Sequence, residues 1–169
     1  MKIQIYIFMS LLFIISPLYA ASLRVSPAMV TLQNIQKGKI VDLYQETGVR
    51  FTIFNDDEIS RTWQLNVYPP AVRGQKNDHY KDILNAEWCW LDKNVVTIKP
   101  KSYEYVYLFI QLPDQSLDNQ ELNNQKWMAV IGIDGQSGNT GISLAADLFL
   151  FIETYSNHLS ITKGGFNND

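Results

Sequence analysis

The stretch Thr62-Trp63-Gln64-Leu65-Asn66-Val67-Tyr68 alternates almost perfectly, with Trp63, Leu65 and Val67 on one side of an extended chain and Thr62, Gln64 and Asn66 on the other. A period of two belongs to a β-strand with one buried face, because successive side chains of a strand point to opposite faces. The same kind of alternation runs from residue 22 to residue 155, broken by short turns, and no segment sustains a helical period. The chain is therefore read as all-β.

Punctuation along the chain divides it into strands. Leu23, Val25, Val30 and Leu32 form a first strand with a kink at Pro27, since proline in a strand marks an edge or a bulge. Gly38-Lys39 reverses the chain, and Val49 to Asn55 makes a strand that ends at the acidic turn Asp56-Asp57. Pro69-Pro70 closes the next strand, because neither residue can donate to a ladder. A polar stretch from Arg73 to Asp82 reads as a loop, with a helical turn over Tyr80 to Leu84.

Strands follow at Trp88 to Leu91, Val95 to Ile98 and Tyr103 to Leu112. The last of these is placed centrally, with Val106, Leu108, Ile110 and Leu112 inward. Beyond the polar connection Pro113 to Gln125 come a strand at Trp127 to Asp134, a hairpin loop from Gly135 to Gly141 and a final strand from Ile142 to Tyr155. About seven or eight strands with turns at these intervals predict an immunoglobulin-like β-sandwich. The uneven spacing argues against a closed barrel of regular hairpins.

The N-terminus carries Lys2, an apolar run from Ile3 to Ile15, then Pro17 and the small residues Ala20 and Ala21. That is the layout of a secretory signal peptide, and the run is shorter than the about 20 apolar residues that span hydrocarbon. The predicted organisation is a signal peptide at 1–20, a sandwich at 21–155, and a polar tail or the start of a further domain at 156–169. Cys89 is the only cysteine, so no intramolecular disulfide forms; between Trp88 and Trp90 it reads as a small buried hydrophobe. The net charge of −3 provides no electrostatic footprint for nucleic acid, and no membrane insertion is expected after signal cleavage.

Catalysis needs titratable groups that converge, and the chain offers few. His79 and His158 are the only histidines and sit in polar stretches, and Cys89 has no neighbouring ligand to share a metal with. Gly135-Gln136-Ser137-Gly138 falls short of a nucleophile elbow, and Asp56-Asp57-Glu58 lacks the alternation of a calcium loop. No enzyme activity, cofactor or metal is expected. Tyr44, Tyr103, Tyr105, Tyr107 and Trp127 are the candidates for a carbohydrate site, although aromatic residues fill sandwich cores more often than sugar sites.

The last strand is unusual. Its even row, Ile142, Leu144, Ala146, Leu148, Leu150 and Ile152, is wholly apolar, and its odd row adds Phe149 and Phe151. Either the strand is buried on both faces, or it completes another protein's sheet by β-augmentation, the row Leu144, Ala146, Leu148 and Leu150 setting the register.

The order of segments resembles the N-terminal domain of periplasmic pilus-assembly chaperones (PapD-like). The resemblance rests on Ser26-Pro27-Ala28-Met29-Val30, Phe51 to Asn55, Trp63 to Val67, Val96-Thr97-Ile98-Lys99-Pro100, and Trp127 to Ile133 with Leu144 to Tyr155. It implies a non-enzymatic periplasmic protein that assists assembly of pili or other surface structures by donating a strand to an exported subunit such as a pilin. The family holds its client's C-terminal carboxylate with two basic residues, whereas here Ala28 or Met29 stands at the first position and no lysine or arginine occurs between Ile142 and Tyr155. Arg24 is the possible substitute anchor. The missing anchors motivate the alternative, a structural or adhesive immunoglobulin-like module of the cell envelope.

Overall fold

The computed structural model describes residues 23–114, 122–135 and 144–155. The segments 1–20 and 156–169, and most of the loop from Gly135 to Gly141 with Ile142, lie outside the described residues. Among the described residues, twelve strands form a sandwich around one apolar core. The first layer runs β2 (Met29–Ile35), β12 (Ala145–Thr154), β11 (Lys126–Gly135), β5 (Arg61–Tyr68) and β8 (Val95–Ile98). The second holds β1 (Leu23–Ser26), β4 (Phe51–Asn55) and β9 (Ser102–Val106), with β3 (Ile40–Asp42), β10 (Leu108–Gln111) and β7 (Cys89–Leu91).

The two three-stranded groups of the second layer are continuous, because β4 pairs with residues 102–106 and β3 with residues 109–111 of the same run of chain. A short helix, α1 (Leu43–Thr47), separates β3 from β4. The Asp42 carboxylate caps it by accepting from the amides of Tyr44 and Gln45 at 2.9 and 3.2 Å. Gly48 ends it in the left-handed conformation, φ 72°, which glycine adopts without a Cβ clash.

Burial follows the predicted alternation closely in β5, where Trp63 and Leu65 are almost completely buried, and in the row Val106, Leu108, Ile110 and Leu112. Three local expectations change. The kinked first strand is two strands in different layers: the ladder from β1 to β4 stops at Ser26, Pro27 has no N–H with which to continue it, and β2 then joins β12. The strand from Tyr103 to Leu112 breaks at Tyr107, whose amide donates to Asp92 Oδ1 at 2.8 Å and whose carbonyl accepts the Asp92 amide at 3.0 Å. Only its second half, β10, is central in its sheet.

No helical turn forms over Tyr80 to Leu84. Instead β6 (Lys81–Asp82) runs parallel to Trp127 and Met128, and the Ile83 amide donates to the Met128 carbonyl at 2.9 Å. The cause lies in β5, whose ladder on β11 ends at Tyr68 opposite Val130 because Pro69 follows. The remaining edge of β11 is then filled by β6. Cys89 is buried, as expected, and burial pushes its thiol up to about 12.

One polar side chain inside the core secures the turn after β4. Asn55 is fully buried, and its amide nitrogen donates to the carbonyls of Ile59, Ile98 and Lys99 at 2.8–3.0 Å. Its oxygen accepts the Asp57 amide at 3.2 Å. The acidic run of that turn faces cations: Arg24 with Asp56, Arg61 with Asp57, and Lys101 with Glu58.

Candidate functional site

The last strand has two unequal margins. Against β11 it is zipped along its whole length, from Ala145 opposite Asp134 to Glu153 opposite Lys126. Against β2 the parallel ladder begins only at Phe149, opposite Met29, where the Phe149 amide donates to the Ala28 carbonyl at 2.9 Å. Backbone groups of an antiparallel strand alternate between its two neighbours. The outward bond of Phe149 therefore places the N–H and C=O of Ala145 and Asp147 on the margin away from β11. Among the described residues, that margin has no ladder partner from Ala145 to Leu148.

The two faces of β12 also differ. Leu148, Leu150 and Ile152 point into the main core, with Ala146 packed at its border. On the outer face, Phe149 and Phe151 join Met128, Val130 and Tyr80 in a second apolar cluster. Tyr80 lies 4.6 Å from Phe151, centroid to centroid, so the connection after β5 covers this face. The Glu153 carboxylate pins it there, accepting from Tyr80 Oη at 2.6 Å, Lys126 Nζ at 2.8 Å and Gln33 Nε2 at 3.0 Å. The Lys126 and Tyr80 hydrogen bonds hold the Glu153 carboxyl below its ordinary value.

Arg73 clamps the same connection beside the open margin. Its Nη1 donates to both oxygens of Asp134 at 3.0 and 3.2 Å, and its Nε and Nη2 reach Asp147 Oδ1 at 2.9 and 2.8 Å. Hydrogen bonding to Asp147, and then to Asp134, raises the Arg73 pKa further. Gly132 makes this possible, for a Cβ there would lie 2.8 Å from the Tyr68 ring and 3.1 Å from the Arg73 guanidinium carbon.

The predicted donor row thus divides. Leu144 and Ala146 are half-buried and precede the start of the β2 ladder. Leu148 and Leu150 correct the expectation of an available row: they are at most 1% exposed, and from Phe149 onward the margin is occupied by β2. The doubly apolar composition reflects burial on both faces over that part of the strand.

Arg24 is a second correction. It stands on the outer face of the second layer, 3.7 Å from the Phe54 ring centroid and 3.2 Å from Asp56, so its charge is already paired. Arg73 is the cation next to Asp147, and it was missed because 74 residues separate the pair. Of the aromatic candidates, Trp127 is a core residue packed edge-on against Trp88, whereas Tyr44, Tyr103, Tyr105 and Tyr107 gather on the outer face of the second layer.

No protein-family model matches the sequence, and no curated protein does. Solved structures do match in fold. The PapD-like domain 7 of human CEP192 aligns with a TM-score of 0.56 at 8% identity, over 85% of this chain and 94% of that one. A candidate carbohydrate-binding protein from Bacteroides ovatus aligns with a TM-score of 0.57 at 9% identity, over 79% of this chain and 37% of that one. A chain of the CsuC–CsuE complex of Acinetobacter baumannii, a chaperone with a tip adhesion subunit of archaic chaperone-usher pili, aligns with a TM-score of 0.52 at 12% identity. This chain covers about half of that one, 53%, with 80% of its own length. At such identities the likeness is one of architecture, and the architecture of this chain is an immunoglobulin-like sandwich.

Proposed function

We propose that this protein is an exported, non-enzymatic, chaperone-like component of the periplasm that holds a partner subunit by β-augmentation. The docking edge is the stretch of β12 before Phe149. The observation that carries this reading is the offset of the two ladders, since β11 pairs with β12 from Ala145 while β2 begins four residues later. An edge of this kind supplies main-chain donors and acceptors to an added strand, while Leu144 and Ala146 offer the apolar contacts that set its register. The partner is an exported subunit with an incomplete sandwich, such as a pilin. The structural likeness to a pilus chaperone complex supports that choice of partner.

The test is co-purification of the full chain with an exported pilin-type subunit that lacks its last strand. Ala145→Pro removes one outward N–H and no hydrogen bond to β11, so it is expected to abolish capture while thermal unfolding stays unchanged. Undiminished capture by that variant, in a fold that persists, would sink the proposal.

Burial of Leu148 and Leu150 favours a second reading, a structural or adhesive module of the envelope whose last strand is simply core. Amide hydrogen exchange separates the two readings. Ala145 and Asp147 exchange fast in the isolated docking protein, and slowly if their margin is already covered.

A further inference from the structure

The outer face of the second layer carries a row of aromatic rings that the β12 edge does not use. Arg24 lies over Phe54, and Phe54 meets Tyr103 at 5.8 Å between centroids. Tyr103 meets Tyr105 at 5.1 Å. Arg50 lies over Tyr105 at 3.6 Å, and Tyr44, presented by α1, closes the row edge-on against Tyr107 at 5.6 Å. The rings come from both sides of the β4–β9 ladder, where Phe54 is opposite Tyr103 and Thr52 opposite Tyr105. The insertion of α1 between β3 and β4 adds Tyr44.

Tyr103 leaves half of its surface to solvent, and Tyr44 is exposed as well. Aromatic rings left out of the core in a contiguous group mark an interaction surface. Their chemistry narrows the occupant. A tyrosine offers an apolar ring beside a hydroxyl that both donates and accepts, which matches the apolar C–H face and hydroxyl rim of a pyranose. Charge narrows it further: Arg24 is balanced by Asp56, but among the described residues no carboxylate lies within ion-pair distance of Arg50. A guanidinium held by ring stacking keeps N–H groups in a fork that suits a carboxylate.

We infer that this face binds an acidic polysaccharide, a sugar ring against Tyr103 and a uronate carboxylate on Arg50. The surface lies in the other layer from the docking edge and stands independently of the function proposed above.

Affinity electrophoresis of the full chain tests it, in gels containing polygalacturonate or the same polymer fully methyl-esterified. The chain carries a net charge of −3, so a polyanion repels it overall and retardation reports a local site. Polygalacturonate is expected to retard the protein, and Tyr103→Ala to weaken that retardation about tenfold or more. Arg50→Gln is expected to bring retardation by polygalacturonate down to that by the methyl ester. Tyr105→Phe, which keeps the ring, retains binding and guards against a mere loss of fold. Absence of retardation, equal retardation of the unsubstituted protein by both polymers, or an unchanged Tyr103→Ala would each overturn the inference.

Discussion

The two outer faces of the sandwich carry similar residues and meet different fates. Phe149 and Phe151 face outward from the first layer, as Phe54, Tyr103 and Tyr105 do from the second. On the first layer, the connection after β5 folds back and brings Tyr80 onto Phe151, with Arg73 and Glu153 as polar fasteners at either end. On the second, the nearest added element is α1, which contributes one more ring and no lid. An outward aromatic row is thus core or surface according to whether another segment crosses it, and only the crossing segment reveals which.

The largest expected effect breaks the covered face. Phe151→Ala removes a buried ring from the second cluster and should cost about 3 kcal/mol. The equivalent truncation on the bare face, Tyr103→Ala, should cost about 1 kcal/mol or less, because that ring is half-exposed and packs only against Phe54 and Tyr105. Urea unfolding of the two variants measures the contrast directly, and equal losses would erase it.

Gly132→Ala attacks the fastener instead of the ring. The new methyl meets Tyr68 and the Arg73 guanidinium at close range, so a loss of about 1–3 kcal/mol is expected from overpacking. Exchange of backbone amides around Arg73 to Tyr80 should rise by more than that of the second layer.

The gentlest probe is acid. Glu153 has a folded pKa below its ordinary value, so its contribution is present above the unfolded pKa of about 4.3 and fades as pH falls through the folded value. Lowering the pH through that window should loosen Tyr80 before the main core, as a near-ultraviolet circular dichroism change preceding global unfolding. In Glu153→Gln that early step should vanish.

Much of the framework was legible beforehand. The alternation of β5 and the aliphatic row through Val106 to Leu112 placed their side chains correctly, and the paired prolines after Tyr68 ended β5 where expected. Other features depend on bonds made far away. Asp92 breaks a strand at Tyr107, and the end of β5 makes room for β6. Within the candidate site, the unusual character of the last strand was visible, but its open length was not. The register of β2 decides that, more than a hundred residues earlier in the chain.

What the sequence by itself determined is the side to which each residue points, because the two-residue period of a strand is a local property of the backbone. Which of those sides meets water, and which margin of β12 is left without a neighbour, came only with the tertiary structure. Both depend on where other segments end, and a strand carries no local record of its neighbours' lengths.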